Sequence, residues 1–143
     1  MGLDLMMYTR AAYDKYKVSD NYMDLEPELM YGRKTWSLYY FFKERATAVL
    51  EDEIFEIPRS AFEDFAKALA PDKDFIMSTL DMEDEDIEDN YEVMEYIYDK
   101  FTDIGAQLGE DWDIRAFARW LAVLPEVYKV YDEGGGIVMV ASY

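Results

Sequence analysis

Negative charge is concentrated in one stretch of this 143-residue chain, and it limits how that stretch can fold. The segment DMEDEDIEDN, residues 81–90, has a carboxylate at seven of its first nine positions and contains no basic residue. These carboxylates are Asp81, Glu83, Asp84, Glu85, Asp86, Glu88 and Asp89. Because isolated charges are costly to bury, the segment has to lie at the surface, facing solvent or a partner.

The rest of the charge is also unevenly placed. Residues 1–50 hold seven acids and seven bases, so the formal net charge of −18 falls on residues 51–143. Within residues 72–113, sixteen acids accompany only Lys73 and Lys100. A general adaptation to high salt would spread its acids over the whole chain. The distribution indicates instead a local field that repels nucleic acid and anionic lipid and attracts basic proteins and cations.

Composition narrows the class of protein. The chain is 51% hydrophobic and 17% aromatic, which is enough for a core and predicts one domain over residues 1–143. It has no Cys and no His, which excludes disulfides, Cys nucleophiles, Ser-His-Asp triads and His-type metal centres. No apolar run approaches the roughly 20 residues of a membrane span, and the N-terminus lacks a signal-peptide pattern. We expect a cytoplasmic protein without membrane contact or cofactor.

Hydrophobic periodicity predicts the elements of the N-terminal half. Residues 2–8 alternate as a strand, residues 10–24 form a polar connection, and residues 27–50 form a broad aromatic helix. The aromatic arc predicts that this helix is central and buried, and the same arc also fits a homodimer interface. Ile54–Ile57 follows as a short strand. The sequence SAFE, beginning at Ser60, matches a capping box and predicts the start of the next helix.

The C-terminal half is predicted to be helical until its last strands. Residues 72–90 are a connection with a helical turn near residues 75–80. Residues 90–108 form a helix with an apolar stripe of 3-4-3-4 spacing. A further helix covers residues 113–124, and strands at 127–131 and 137–142 form a hairpin across the DEGGG turn. The order of elements predicts an α+β fold. Its small, mostly antiparallel sheet of about four strands is packed with about four helices.

Acids continue along the predicted helix beyond the acidic segment. Glu88, Glu92, Glu95, Asp99 and Asp103 are separated by four, three, four and four residues. At about 100° per residue, this spacing places Glu92, Glu95, Asp99 and Asp103 in one stripe opposite the apolar stripe, with Glu88 just before it. Like charges at such spacings destabilise an isolated helix by about 0.2–0.5 kcal/mol per pair. An ordinary solvated face would include more lysine, so the pattern favours a functional acidic surface.

Other interpretations of the acids remain open. A solvated helix face is the simplest of them. A calcium-binding EF-hand loop requires glycine at the sixth position of DMEDEDIEDNYE, where this chain has Asp86. A magnesium site for phosphoryl transfer requires bases or a glycine-rich loop to hold the phosphates. An enzyme of any kind would have to use Asp, Glu, Lys or Tyr for acid-base chemistry.

Two N-terminal stretches resemble a family of small uncharacterised proteins from tailed bacteriophages. Those proteins begin with MGLD and a short apolar strand, as MGLDLMMY does here. They also carry a helix with a Tyr-Trp-Arg-Lys motif, followed by an aliphatic residue and an aromatic pair. The residues of ELMYGRKTWSLYYFF that match are Tyr31, Arg33, Lys34, Leu38, Phe41 and Phe42. Gly32 stands where the family has Trp. The resemblance implies a viral origin and a compact α+β fold.

Small acidic phage proteins often inhibit host nucleic-acid machinery, and this analogy gives the leading hypothesis. It predicts a non-enzymatic inhibitor of anti-CRISPR or anti-restriction type. Its acids would imitate DNA in the basic channel of a host nucleic-acid-binding defence or transcription protein, without binding nucleic acid directly. The alternative is a phage regulatory or protein-interaction module with an apolar binding face, in which the acids serve only solubility. The predicted partner-binding residues are Asp81, Glu83, Asp84, Glu85, Asp86, Glu88, Asp89, Glu92, Glu95, Asp99 and Asp103.

Overall fold

The computed structural model contains a five-stranded antiparallel sheet at the centre of the fold. The structure describes residues 3–25, 28–33, 35–99 and 111–143, with the backbone alone at positions 22, 98–99 and 111–113. The strands are β1 (Asp4–Thr9), β2 (Met30–Arg33), β3 (Ala48–Glu51), β4 (Ile54–Ile57) and β5 (Ile137–Ser142). Their spatial order is β2-β1-β5-β4-β3, so the last strand of the chain lies in the middle of the sheet.

The helices of the described ranges connect and cover these strands. They are α1 (Arg10–Ser19), α2 (Trp36–Arg45), α3 (Arg59–Leu69), α4 (Lys73–Ser78), α5 (Asp84–Glu88), α6 (Tyr91–Asp99), α7 (Asp111–Ala122) and α8 (Leu124–Asp132). Short 3-10 turns lie at Tyr22–Asp24, Ala70–Asp72 and Thr79–Asp81. The succession of strands and helices confirms the predicted α+β class with a small antiparallel sheet. The described ranges contain five strands and eight α-helices, where about four of each were predicted.

Aromatic side chains from three helices form the centre of the core. The ring of Phe42 on α2 lies 5.0 Å from Phe62 and 5.6 Å from Phe65, both on α3, between ring centroids. It also lies 5.5 Å from Trp120 on α7. All four side chains are at most 1% exposed. Aromatic pairs at such distances contribute about 0.5–1.5 kcal/mol each beyond the burial of their area, so this cluster fastens the helices to one another.

Three strands agree with the sequence prediction. β1 covers most of the strand predicted at residues 2–8, and its inward side chains Leu5 and Met7 are fully buried. β4 and β5 have the predicted boundaries. β5 pairs with β1, with Asp4 opposite Ser142, and on its other edge with β4. A mostly buried central strand of this kind reads as a continuous apolar run, as IVMVA does here.

The helix predicted over residues 27–50 is wrong as a single element. The chain forms β2, then α2, then β3. Exposure alternates from Met30 to Arg33 with the period of a strand. The helix covers only Trp36–Arg45, where five residues including Phe42 are buried, so a buried aromatic helix is confirmed there. The boundaries could not be found by periodicity, because a segment that is apolar on most sides shows no clear period.

The predicted C-terminal hairpin is also wrong. Residues 127–131 belong to α8, which begins at Leu124 and has a proline in its first turn. Val127 is buried, and the hydroxyl of Tyr131 donates a hydrogen bond to the carbonyl of Ile57. Valine and tyrosine favour strands intrinsically, but tertiary packing overrides that preference here. β5 consequently pairs with β1 and β4 rather than with a strand next to it in sequence.

Two further N-terminal predictions are corrected. Within the predicted polar connection at 10–24, the chain forms α1 over Arg10–Ser19. The hydroxyl of Thr9 accepts a hydrogen bond from the backbone N–H of Ala12 at 3.1 Å and caps this helix. The capping box at Ser60 is wrong, because α3 begins one residue earlier and has no side-chain cap. Of the two helices, α1 has a side-chain cap at its N-terminus and α3 has none.

Candidate functional site

The helical turn predicted near residues 75–80 is present, but the predicted connection at residues 72–90 also contains the short helix α5 within the acidic segment. α4 is followed by the 3-10 turn Thr79–Asp81 and then by α5. The side-chain amide of Asn90 donates to the carbonyl of Asp86 at 2.7 Å, and α6 begins immediately afterwards. The helix predicted over residues 90–108 is confirmed as far as Asp99, and its remaining part lies outside the described residues. The acids thus lie on two successive helices, α5 and α6, and on the residues that flank α5.

Buried side chains fix the outward direction of the acids. Met94 and Ile97 on α6 are at most 2% exposed, and Ile87 anchors α5 in the same way. At about 100° per residue, Glu92 and Glu95 each lie about 200° around the helix from Met94 and Ile97 respectively. Both carboxylates are exposed. The predicted arrangement, with an acidic stripe opposite an apolar one, is therefore confirmed for these positions.

Nine of the eleven predicted partner-binding residues have exposed side chains on this part of the molecule. They are Asp81, Glu83, Asp84, Glu85, Asp86, Glu88, Asp89, Glu92 and Glu95, and we call them the acidic surface. Asp99 ends α6 with only its backbone described, and Asp103 lies outside the described residues. The structure thus brings most of the predicted set together on adjoining elements.

One described cation pairs with the acidic surface. Nη1 of Arg115, on α7, lies 2.7 Å from a carboxylate oxygen of Asp84. The same guanidinium donates to the carbonyl of Met82 at 2.9 Å and to that of Thr79 at 3.4 Å. The other eight acids make no ion pair with any residue in the described ranges. No described cation therefore neutralises these eight carboxylates.

The carboxylates are spread out rather than convergent. Among the residues whose side chains are described, no group of three acids is close enough to hold a metal ion. Calcium requires six to eight oxygen ligands around one point, and magnesium requires a near-octahedral arrangement. The described acids consequently do not provide such a convergent set of ligands.

A groove of about 600 Å³ lies between β2 and the C-terminal end of α7, and its lining includes Leu80, which precedes Asp81 of the acidic surface in sequence. We call it the β2–α7 groove. Its walls are mainly apolar, with one acid and one base among the lining residues Glu28, Leu29, Met30, Tyr31, Leu80, Arg119, Trp120, Ala122 and Val123. Sequence analysis missed the groove, because its walls come from segments far apart in the chain. The alternation of β2 was the one signal that pointed to a surface there.

A second polar cluster surrounds Glu53 and was also missed. The buried hydroxyl of Tyr39 donates to one carboxylate oxygen of Glu53, and the Tyr143 hydroxyl donates to the other at 2.9 Å. Nζ of Lys43 donates to the Tyr39 hydroxyl at 3.0 Å. Glu53 and Tyr143 are 90 positions apart in the sequence, so no local motif predicts the cluster.

The hydrogen bonds of the Glu53 cluster shift the pKa values of its members. Burial, together with the hydrogen bond to Glu53, raises the pKa of Tyr39 far above its ordinary value of 10.0. The hydrogen bond from Tyr39 lowers the pKa of Glu53. The hydrogen bond from Tyr143 and the positive charge of Lys43 lower it further. Tyr39 therefore stays protonated at neutral pH and donates its hydrogen bond to Glu53. The cluster fixes the turn between β3 and β4.

Comparisons of this chain with protein-family models, with curated proteins and with solved structures found no match. No helix in the described ranges is both long enough and apolar enough to cross a membrane. What the chain binds has to be inferred from the shape and charge of its own surfaces.

Proposed function

We propose that the chain is a non-enzymatic inhibitor of phage type. Its acidic surface would occupy the basic nucleic-acid channel of a host defence or transcription protein. The supporting observation is the row of exposed carboxylates on α5 and α6, of which only Asp84 pairs with a cation in the described part of the chain. Apart from Asp84, these carboxylates make no ion pair with a residue of the described ranges, and such a surface is complementary to a positive cleft.

The spacing of the acids suits a channel that binds nucleic acid. Glu92 and Glu95 are three residues apart, which is about 4.5 Å along a helix axis. Phosphates recur about every 3.4 Å of axis along each strand of DNA. Carboxylates also accept the charge-assisted hydrogen bonds that lysine and arginine donate to phosphate. A channel that reads backbone charge would therefore accept this surface in place of a phosphate strand.

A strong local field also predicts how binding proceeds. The net charge of −18 accelerates association with a basic protein, and salt weakens this effect because the Debye length is about 8 Å at 0.15 M. The inhibitor and DNA would compete for one site, since both present negative charge to it. Inhibition should therefore fall as duplex DNA or salt is added.

A pull-down from bacterial lysate tests the proposal with a matched pair of variants. The first carries Gln at the acidic-surface positions Glu85, Glu88, Glu92 and Glu95. The control removes the same charge from exposed positions elsewhere, through Asp20→Asn, Asp52→Asn, Glu63→Gln and Glu126→Gln. We expect wild type and control to recover a nuclease, CRISPR effector, restriction enzyme or polymerase that duplex DNA releases. The acidic-surface variant should recover none.

Two results would contradict the proposal. Recovery of a partner without nucleic-acid function would remove the reason for imitating DNA. Equal loss of binding in the acidic-surface variant and in the control would assign the effect to overall charge rather than to this surface.

The β2–α7 groove supports a second candidate, a phage regulatory or protein-interaction module that binds through an apolar face. In that case the acids only keep the chain soluble. The acidic-surface variant would then retain its partner, whereas a bulky residue placed in the groove, as in Ala122→Trp, would abolish binding.

A further inference from the structure

We infer that the β2–α7 groove and the acidic surface form one binding site, for a protein segment that carries apolar and cationic side chains side by side. This inference rests on the proposed function and adds the chemistry of the partner's contacting segment. Its apolar side chains would enter the groove, and its lysines and arginines would meet the carboxylates.

The two surfaces are continuous at Leu80 and Asp81. Leu80 lines the groove and is 41% exposed, and Asp81 is the first residue of the acidic surface. Consecutive Cα atoms are about 3.8 Å apart. An apolar side chain resting against Leu80 therefore brings the next residues of its segment within reach of the Asp81 carboxylate.

α7 is a common support for both surfaces. Arg115 holds Asp84 of the acidic surface, and Arg119 lines the groove one turn later, about 6 Å along the helix axis. Trp120, also in the groove wall, donates its indole N–H to the carbonyl of Tyr31 at 3.2 Å. The buried indole fixes α7 against β2 and keeps the groove open beside the acids.

Charge decides between the possible occupants of the groove. A second copy of this chain would bring another net charge of −18 against the acidic surface. An anionic apolar molecule would be attracted by Arg119 but repelled by the carboxylates that begin at Asp81. A cationic segment with apolar side chains satisfies both surfaces. Its charges would speed association, and its buried apolar contacts would slow release.

Two synthetic peptides with the same number of lysines provide the test. In one peptide, leucine occupies every third or fourth position. In the other, serine replaces each of those leucines. Binding to the full chain is measured by calorimetry. We expect the leucine peptide to bind at least about tenfold more tightly, because burial of a single leucine side chain is worth that factor or more. Equal affinities would overturn the inference.

Variants then locate the difference. Leu80→Ser and Ala122→Trp should each remove the advantage of the leucine peptide while leaving the serine peptide unaffected. Val18→Ser is the matched control, because Val18 is 91% exposed on α1. Melting temperatures confirm that each variant is folded, as expected for substitutions at exposed positions. An unchanged leucine advantage in both groove variants would contradict the inference.

The failure of this inference is separable from failure of the proposed function. Loss of serine-peptide binding in the acidic-surface variant tests the carboxylates, whereas the difference between the two peptides tests the groove. Arg119→Gln should strengthen binding of the leucine peptide, because it removes a positive charge. The same variant is also tested with a fatty acid such as dodecanoate. If dodecanoate binds the wild type and Arg119→Gln abolishes that binding, the groove has an anionic occupant and the inference is overturned. Self-association that Ala122→Trp removes would assign the groove to a second copy.

Discussion

The guanidinium of Arg115 lies 2.7 Å from the carboxylate of Asp84 and also donates to the carbonyls of Thr79 and Met82. This one side chain ties the start of the acidic surface to α7. Asp84 is largely exposed, so the ion pair itself adds little, and the carbonyl hydrogen bonds matter more. Without them the turn before α5 loses its attachment.

We predict that Arg115→Met, which keeps the aliphatic stem, lowers the free energy of unfolding by about 1–3 kcal/mol. Amide hydrogen exchange in the turn Thr79–Asp81 and in α5 should accelerate. The matched control is Arg119→Met on the same helix, which is exposed and makes no ion pair with a described residue. It should change stability by no more than about 0.5 kcal/mol. Equal effects of the two substitutions would contradict the assigned role.

Crowding of charge on α5 and α6 should be visible in stability as well as in binding. The acidic-surface variant relieves repulsion between neighbours, worth about 0.2–0.5 kcal/mol per helical pair. We predict that the melting temperature of this variant exceeds that of wild type at low salt. The rise should be larger than the rise seen in the control variant, which loses the same charge elsewhere. The excess should vanish at high salt, since the Debye length falls from about 30 Å at 0.01 M to about 3 Å at 1 M. Identical shifts for both variants would show that the acids are not crowded.

Gly32 on β2 faces the buried side chain of Thr35 at close range. A Cβ at position 32 would lie 2.8 Å from Oγ1 and 2.9 Å from Cγ2 of Thr35. We predict that Gly32→Ala destabilises the chain by about 1–3 kcal/mol, measured by urea unfolding, because a packed interior resists added volume.

Thr35→Ala supplies the second arm of this test. It removes both close atoms, and it also removes a buried hydroxyl that has no hydrogen-bond partner in the described chain. The double variant should recover most of the stability lost in Gly32→Ala, which gives a coupling energy of about 1 kcal/mol or more. Simple additivity of the two single variants would refute the proposed clash.

The parts of the fold that were predictable are those in which local pattern and tertiary environment agree. β1, β4 and β5 show alternation or a bounded apolar run, and the acidic stripe of α6 follows from 3.6-residue periodicity. β2 and α8 were not predictable in this way. β2 adjoins an aromatic run without a clear period, and α8 contains strand-favouring residues that pack as a helix.

The candidate site likewise has one part that local sequence pattern predicts and other parts that it does not. The acidic surface is a local property, because its residues follow one another in the chain, and most of it was predicted. The β2–α7 groove depends on Met30, Leu80 and Trp120, which meet only after the sheet and α7 have packed. The Glu53 cluster likewise joins Tyr39 to Tyr143. Long-range contacts of this kind leave no periodic signal in a single sequence.

The Glu53 cluster makes a prediction about pH. Glu53 adopts a left-handed backbone conformation with φ of 60°, which is unfavourable for a residue other than glycine. The hydroxyls of Tyr39 and Tyr143 hold its carboxylate in this position and lower its pKa below the ordinary value of 4.5. Because the folded state has the lower pKa, its stabilising contribution is complete above pH 4.5. That contribution is lost as pH falls through the folded-state value.

Glu53→Gln keeps the side-chain length and the backbone strain but removes the ionisable group. We predict that wild type has the higher melting temperature at about pH 7, and that the difference narrows as pH falls to about 3. Other carboxylates titrate in both proteins, so the difference isolates Glu53. Tyr143→Phe removes one of the two donors, and its stability gap relative to wild type should narrow over the same pH range. A gap between wild type and Glu53→Gln that stays constant with pH would show that these hydrogen bonds do not stabilise the ionised carboxylate.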